Sequence, residues 1–273
     1  MDPTKYIKEN FFLKINPLLL ILLIGFLLVD FPLFGQKSNF INIGAGLEHI
    51  AHRDMGMSPL MYSGNGFFTE FSWQKTSPKQ SLKIAINFAK GIQRSKFDNS
   101  IEYNKGNIQA YVFYHQHRSV TNGILWGWSN NNVFSHRYNQ EFVNFNHHFD
   151  YFTNFGPAAK YVYPFKVNNR DLAIEGVANF QMIGFIIRPS YTSSYPVGFL
   201  REETSIVKGL VHSVKLSHPG NSLNFGFHPR LNYFLKSGNR LSLSYQYELY
   251  RLSPTNLVTQ SSGIWFISLS TRL

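Results

Sequence analysis

The sequence predicts an all-β fold: a transmembrane, antiparallel, up-and-down β-barrel of about ten strands (eight to twelve), following a cleaved N-terminal signal peptide. Three observations carry this. Apolar side chains recur at every second position through most of the chain after residue 36. The segments between these runs alternate between short and long. The chain is also rich in aromatics, with 26 Phe and 15 Tyr, and poor in charge at 15%, yet no apolar stretch past residue 36 is long enough to cross a membrane as a helix. With no cysteine, a disulfide scaffold, a thiolate zinc site and a lipidated N-terminal cysteine are all excluded.

Residues 1–35 read as the signal peptide. Lys5, Lys8 and Lys14 precede Pro17 and the unbroken apolar run Leu18–Val29, which Asp30 ends. The run is short of the ~20 residues a spanning helix needs. Cleavage is expected after the small residue Gly35; the alternative is an uncleaved anchor helix. Removing this segment takes away three bases and three acids, so the charge of the remaining domain, 36–273, stays at +11.

The strands follow in order. Ile41, Ile43, Ala45 and Leu47 share one face of the first, opposite Asn42, Gly44, Gly46 and Glu48. Phe67, Thr69, Phe71 and Trp73 form the next apolar row, then Leu82, Ile84, Ile86 and Phe88, then Ile108, Ala110, Val112 and Tyr114. Toward the C-terminus the row Leu223 to Tyr233 is followed by Leu241 to Leu249 and by Trp265, Ile267 and Leu269. Turn-forming residues fill four short connections, at 75–80, 117–122, 167–171 and 236–240. Long connections are expected at roughly 51–65, 91–106, 129–157, 188–221 and 253–262. Four short and five long connections join ten strands, an even number, so both ends are expected on the short-turn, periplasmic side.

Closure has a simple cause. An unpaired backbone N–H in hydrocarbon costs several kcal/mol, so an open sheet edge cannot face lipid. Trp73, Tyr114, Tyr163, Tyr233 and Trp265 lie near strand ends, where aromatic girdles form. A soluble sandwich or lipocalin-like barrel would place the opposite rows in bulk water. Those rows hold Gly, Ala and Ser but few Lys or Glu, which does not suit a wetted surface.

These features together resemble the bacterial outer-membrane β-barrel proteins. The resemblance spans the whole chain, including a last strand, Gly263–Leu273, of the kind the barrel-insertion machinery reads. It is architectural and implies no activity.

Ten strands lie near the width that side chains fill completely. The inward rows carry Glu48, Glu70, Lys83, Lys160, Glu175, His228, Arg230 and Glu248, and in a narrow lumen these must pair. A salt-bridged plug is therefore expected, with a narrow small-solute channel as the alternative. Between Ser129 and Pro157, Phe142, Phe145, Phe149 and Phe152 would share one face if that segment were helical, forming either a cap on the barrel or a stacking platform for a planar ligand. His148 and Asp150, with Glu48 and His52 at the end of the first strand, are the candidates for a rim hydrolase of the lipid A deacylase or omptin kind. No third partner completes either pattern. No metal site and no cofactor are expected.

The positive charge is scattered rather than blocked, which does not suit nucleic acid. Lys75, Lys79, Arg118, Lys166, Arg170, Lys236 and Arg240 line the short turns against one acid, Asp171. Outer-membrane lipid and lipopolysaccharide, the insertion machinery and an unidentified envelope protein are the expected partners. Expected function is a structural or binding barrel acting through its outer loops.

Overall fold

A computed structural model describes residues 38–114, 123–139, 146–188, 214–254 and 256–273. The proposed signal peptide lies outside the described residues. Twelve strands are present: β1 (Ser38–Asp54), β2 (Ser58–Thr76), β3 (Gln80–Ser95), β4 (Ser100–Tyr114), β5 (Gly123–Tyr138), β6 (His147–Val167), β7 (Arg170–Gln181), β8 (Ile183–Ile187), β9 (Val214–Ser217), β10 (Ser222–Phe234), β11 (Arg240–Leu252) and β12 (Val258–Arg272).

They make a ring of ten staves. β1 pairs with β2 on one side and β12 on the other, β5 pairs with β6, and every pairing is antiparallel. β7 and β8 are one stave interrupted at Met182, whose N–H still reaches Phe155 O at 3.0 Å. β9 and β10 are likewise one stave. β9 pairs with β8 and β10 with β7, and residues 218–221 form an extra turn between them. Among the described residues the ring is closed through β1–β12 and β5–β6, with only the short β9 paired on one side, as a sheet surrounded by lipid requires.

At one end, called lower here, lie residues 38–40, Arg272 and the short turns. Phe40 pairs directly with Arg272, so both described ends share this end. In the β6–β7 turn Asn168 and Asn169 both adopt positive φ, 46° and 59°, the primed turn whose twist matches its flanking strands.

The alternation sorts side chains as the sequence indicates. Ile43, Leu47, Leu241, Leu243 and Ile267 are all exposed on the outer wall, and Glu48, Glu70, Ser72 and Asn42 are buried within. The upper half differs from expectation. The segments read as long loops at 51–65, 91–106 and 129–157 are mostly strand, and only 55–57, 96–99 and 139–146 connect staves there. The reason is solvent. Above Leu47 the outer wall of β1 and its neighbours carries His49, Arg53, Asn65, Ser63 and Ser261, while the inner wall holds Ile50 beside His52 and Asp54, so the apolar-out, polar-in alternation fades while backbone pairing continues. β1 has 17 residues. At ~3.3 Å per residue and ~40° tilt such a strand rises ~43 Å, well beyond the ~25 Å apolar band. The upper strand ends therefore stand clear of hydrocarbon.

Small residues make room inside. Tyr103 of β4 lies across Gly91 and Gly66 on the two preceding strands. A Cβ at Gly91 would stand 2.4 Å from Asn65 O and 2.5 Å from the Gly66 Cα. Gly91→Val should destabilise the barrel by about 1–3 kcal/mol, as overpacked interiors do. The measurement is the urea midpoint at which the compact, unboiled gel band disappears; an unchanged midpoint contradicts the packing described.

Candidate functional site

The inner wall presents polar rows because the outer rows face lipid, and the narrow ring brings those rows into contact. Three ionic groups result. In the lower lumen Lys83 Nζ lies 3.2 Å from Glu70 Oε1, Lys160 Nζ lies 3.0 Å from Glu175 Oε2, and Arg230 Nη2 lies 3.6 Å from Glu70 Oε1. His228 faces the same space. In the middle, Lys105 bridges Glu248 Oε2 at 2.6 Å and Glu48 Oε1 at 3.2 Å. Tyr103 donates to the other Glu48 oxygen at 3.0 Å, while Asn107, Gln109 and Gln246 donate to Glu248 Oε1. Apolar clusters are interleaved with these groups, Ile50, Phe68, Ile264 and Phe266 among them.

The third group closes the upper mouth. Asp54 and Asp150 face each other across the lumen, from β1 and β6, with Arg137 and Arg188 between them. Arg137 contacts both carboxylates, and so does Arg188, whose Nε lies 2.9 Å from Asp150 Oδ1. Asp54 also accepts from the Gly56 N–H at 2.9 Å, tying the square to the β1–β2 turn. All four side chains are at most 1% exposed. Below them Val133, Phe152, Ile186, Tyr250, Leu252 and Val258 form an apolar floor.

His52 and His148 flank the square, each two residues before one of its acids. Burial first, then the charges of Arg137 and Arg188, hold the His52 imidazole well below its ordinary pKa. Burial opposes ionisation of Asp150, but the two guanidiniums outweigh it and hold the carboxyl below its usual value. On the outer wall nearby, His136 Nε2 and His147 Nδ1 are 3.0 Å apart, and the His136 ring stacks on Phe149 at 4.7 Å. Burial against these rings, then His147 and Arg137, push His136 down to about 4.

The candidates named from sequence distribute as follows. His52, His148 and Asp150 come together at the mouth. Glu48 does not join them: β1 continues to Asp54, which leaves Glu48 deep in the middle group with Lys105. The shared Phe face is corrected as well. Phe149 and Phe152 lie in strand β6, not a helix, with Phe149 outward and Phe152 buried inward. Phe142 and Phe145 lie outside the described residues. Arg240, read as a turn base, points inward and donates to Asn42, Gln74 and Ser270. Lys166 is paired with Asp171 at 3.4 Å on the surface, and Arg118 lies outside the described residues. Asp54, Lys105, Arg137 and Arg188 were missed. All four sit in segments read as loops, yet for two of them the signal was available. Asp54 shares the strand parity of Glu48, and Lys105 that of Gln109 and Tyr111.

Comparison with known proteins gives fold and nothing finer. No protein-family model matches the chain. No curated protein matches it either. Among solved structures, the outer membrane protease OmpT from Escherichia coli aligns with 90% of this chain and 99% of its own, at 6% identity and a TM-score of 0.53. The transport unit of the autotransporter AIDA-I from Escherichia coli aligns with 89% of this chain and 92% of its own, at 7% identity and a TM-score of 0.42. Neisserial surface protein A covers 87% of this chain and 99% of its own, at 10% identity and a TM-score of 0.35.

Two outcomes test the mouth. Asp54→Asn leaves two guanidiniums on one carboxylate. Breaking a buried ionic group in this way costs about 3–5 kcal/mol, so amide exchange at the upper ends of β1 and β5 should rise steeply. The second is pH dependence. Above pH ~6.5 His52 is neutral folded or unfolded; below it the unfolded imidazole takes a proton that the folded one refuses, so stability falls. The Asp150 contribution is lost only in a separate window, below its ordinary pKa. Urea midpoints should therefore drop between pH 7 and pH 5, and His52→Gln should flatten that slope.

A closed ten-stave ring with an apolar outer belt and a polar, ion-paired interior gives this chain the β-barrel fold that it shares with the outer membrane protease OmpT.

Proposed function

We propose that this protein is a sealed outer-membrane barrel, inserted with both termini in the periplasm, that acts as a structural or binding element through its projecting outer wall and loops. The observation that carries this reading is the state of the lumen. Three ionic groups and three apolar clusters occupy it. Two cavities between described residues offer about 10 and 20 Å³ of room for water, one or two molecules each. A conducting path would have to break buried ion pairs at several depths. Upper strands that rise beyond the apolar band offer a rigid surface to lipopolysaccharide or to an envelope partner, with the stacked His136, His147 and Phe149 on its outer side. A last strand paired along its length with β1 suits delivery by the insertion machinery.

A rim hydrolase is the second reading. Its support is the pair of His-x-Asp segments, His52 to Asp54 and His148 to Asp150, facing each other at the mouth of a fold shared with an outer-membrane protease. Against it, both carboxylates are held by Arg137 and Arg188, which leaves neither free to orient an imidazole or activate water.

Planar-bilayer recording of the refolded protein separates the readings. The sealed barrel gives no unitary conductance steps, and reproducible steps would replace it with the channel. Incubation with purified lipopolysaccharide and with peptide substrates, wild type beside His148→Ala, should give no product from either protein. Turnover by the wild type that His148→Ala abolishes would establish the hydrolase instead.

A further inference from the structure

The lower lumen is out of charge balance. Its inward side chains include four cations, Lys83, Lys160, Arg230 and Arg240, and two carboxylates, Glu70 and Glu175. Glu70 serves Lys83 and Arg230, and Glu175 serves Lys160. Among the described residues Arg240 donates to neutral oxygens, those of Asn42, Gln74 and Ser270, and lies over the Phe40 ring. The sequence of the neighbouring short turn, 115–122, contains no acid that could make up the difference. The middle group offsets one of these charges, since Glu48 and Glu248 share the single cation Lys105, and the one remaining positive charge in a narrow, poorly hydrated lumen carries a desolvation cost unless a counter-charge is present.

A space for that counter-charge exists. The larger of the two cavities, about 20 Å³, lies between Lys83, Lys160, Arg230, His228 and Tyr111, with Glu175, already paired to Lys160, also in its wall. Arg230 is 3% exposed. Its Nε donates to Ser244 Oγ at 3.1 Å and its Nη2 faces Glu70 Oε1 at 3.6 Å, while Nη1 has no hydrogen-bond partner among the described residues. His228 Nε2, on the same wall, has none either. Buried donors are nearly always satisfied, and an unsatisfied guanidinium nitrogen beside a cavity points to an acceptor there.

We propose that the lower lumen binds one small monovalent anion of chloride size, held by Arg230 and flanked by Lys83 and Lys160. The cavity admits one or two water-sized species, which excludes a sugar, a nucleotide or a lipid headgroup. The donors are cationic and point inward from β3, β6 and β10, so the anion ties three staves together. Its role is that of a structural counter-ion, and it holds whatever the outer surface binds.

The test uses the full refolded protein in detergent. Thermal loss of the compact gel band is followed in sodium chloride and in sodium gluconate at matched ionic strength. The wild type should gain stability with chloride along a saturable curve and gain none from gluconate, an anion too large for the cavity. Arg230→Gln should abolish the difference between the two salts. Equal wild-type midpoints in both salts, or an unchanged chloride response in Arg230→Gln, overturn the proposal. Where Arg230→Gln does not fold, wild-type crystals soaked in bromide decide the matter: an anomalous peak in the cavity upholds it, and a cavity without one rejects it.

Discussion

Everything in this barrel follows from one requirement: in hydrocarbon, a backbone N–H must be paired within the protein. An open sheet fails that requirement at both edges, so the first and last strands must meet. They do so along β1 and β12, from Phe40–Arg272 to Asp54–Val258. Ten staves then set the radius, and the radius brings opposite walls within side-chain reach. Lys105 on β4 can touch Glu248 on β11, and Arg137 on β5 can touch Asp54 on β1. Lipid outside demands apolar outer rows, which leaves inner rows free to be polar; the small radius then obliges those polar groups to find one another.

The pairing is specific in its geometry. A lone buried ion pair contributes little net stability, because desolvating both partners offsets their attraction. Here each group is larger than a pair. Glu248 receives a lysine and three amides, and Glu48 a lysine and a tyrosine. At the mouth two arginines and two aspartates form a closed square, so each carboxylate meets two cations. Such arrangements fix the stagger of the staves: a slip of one residue in a strand such as β2, β3 or β7 would turn its inward charge to the outer wall. The glycines have the complementary task. Gly66 and Gly91 leave a trough that lets the Tyr103 ring lie across β3 and β2 and reach Glu48 on β1.

The barrel shares its fold with a protease, and each of its two mouth acids is held by two guanidiniums. His52 and His148 stand beside carboxylates at the mouth, as a hydrolytic site would have them. The two guanidiniums convert that pairing into a lock. Whether a rim of His and Asp residues catalyses or closes depends on what neutralises the acids.

By itself, the sequence determined what one strand and its two faces can express. Alternation from Ile41 to Leu47 and from Leu241 to Leu249 shows which side meets lipid, and alternating connection lengths show how many staves there are. It also determined that Glu70, Lys83, Glu175, Arg230 and Glu248 point inward, because parity alone decides that. Where the outer wall rises into water the alternation fades, and the upper strands then look like loops, which is why Asp54, Lys105 and Arg137 went unread. Only the tertiary structure decided which inward groups meet. That depends on stagger between strands distant in sequence, 143 positions apart for Lys105 and Glu248 and 134 for Arg188 and Asp54. Stagger is a property of the closed ring, set by all ten staves at once, and no single strand carries it.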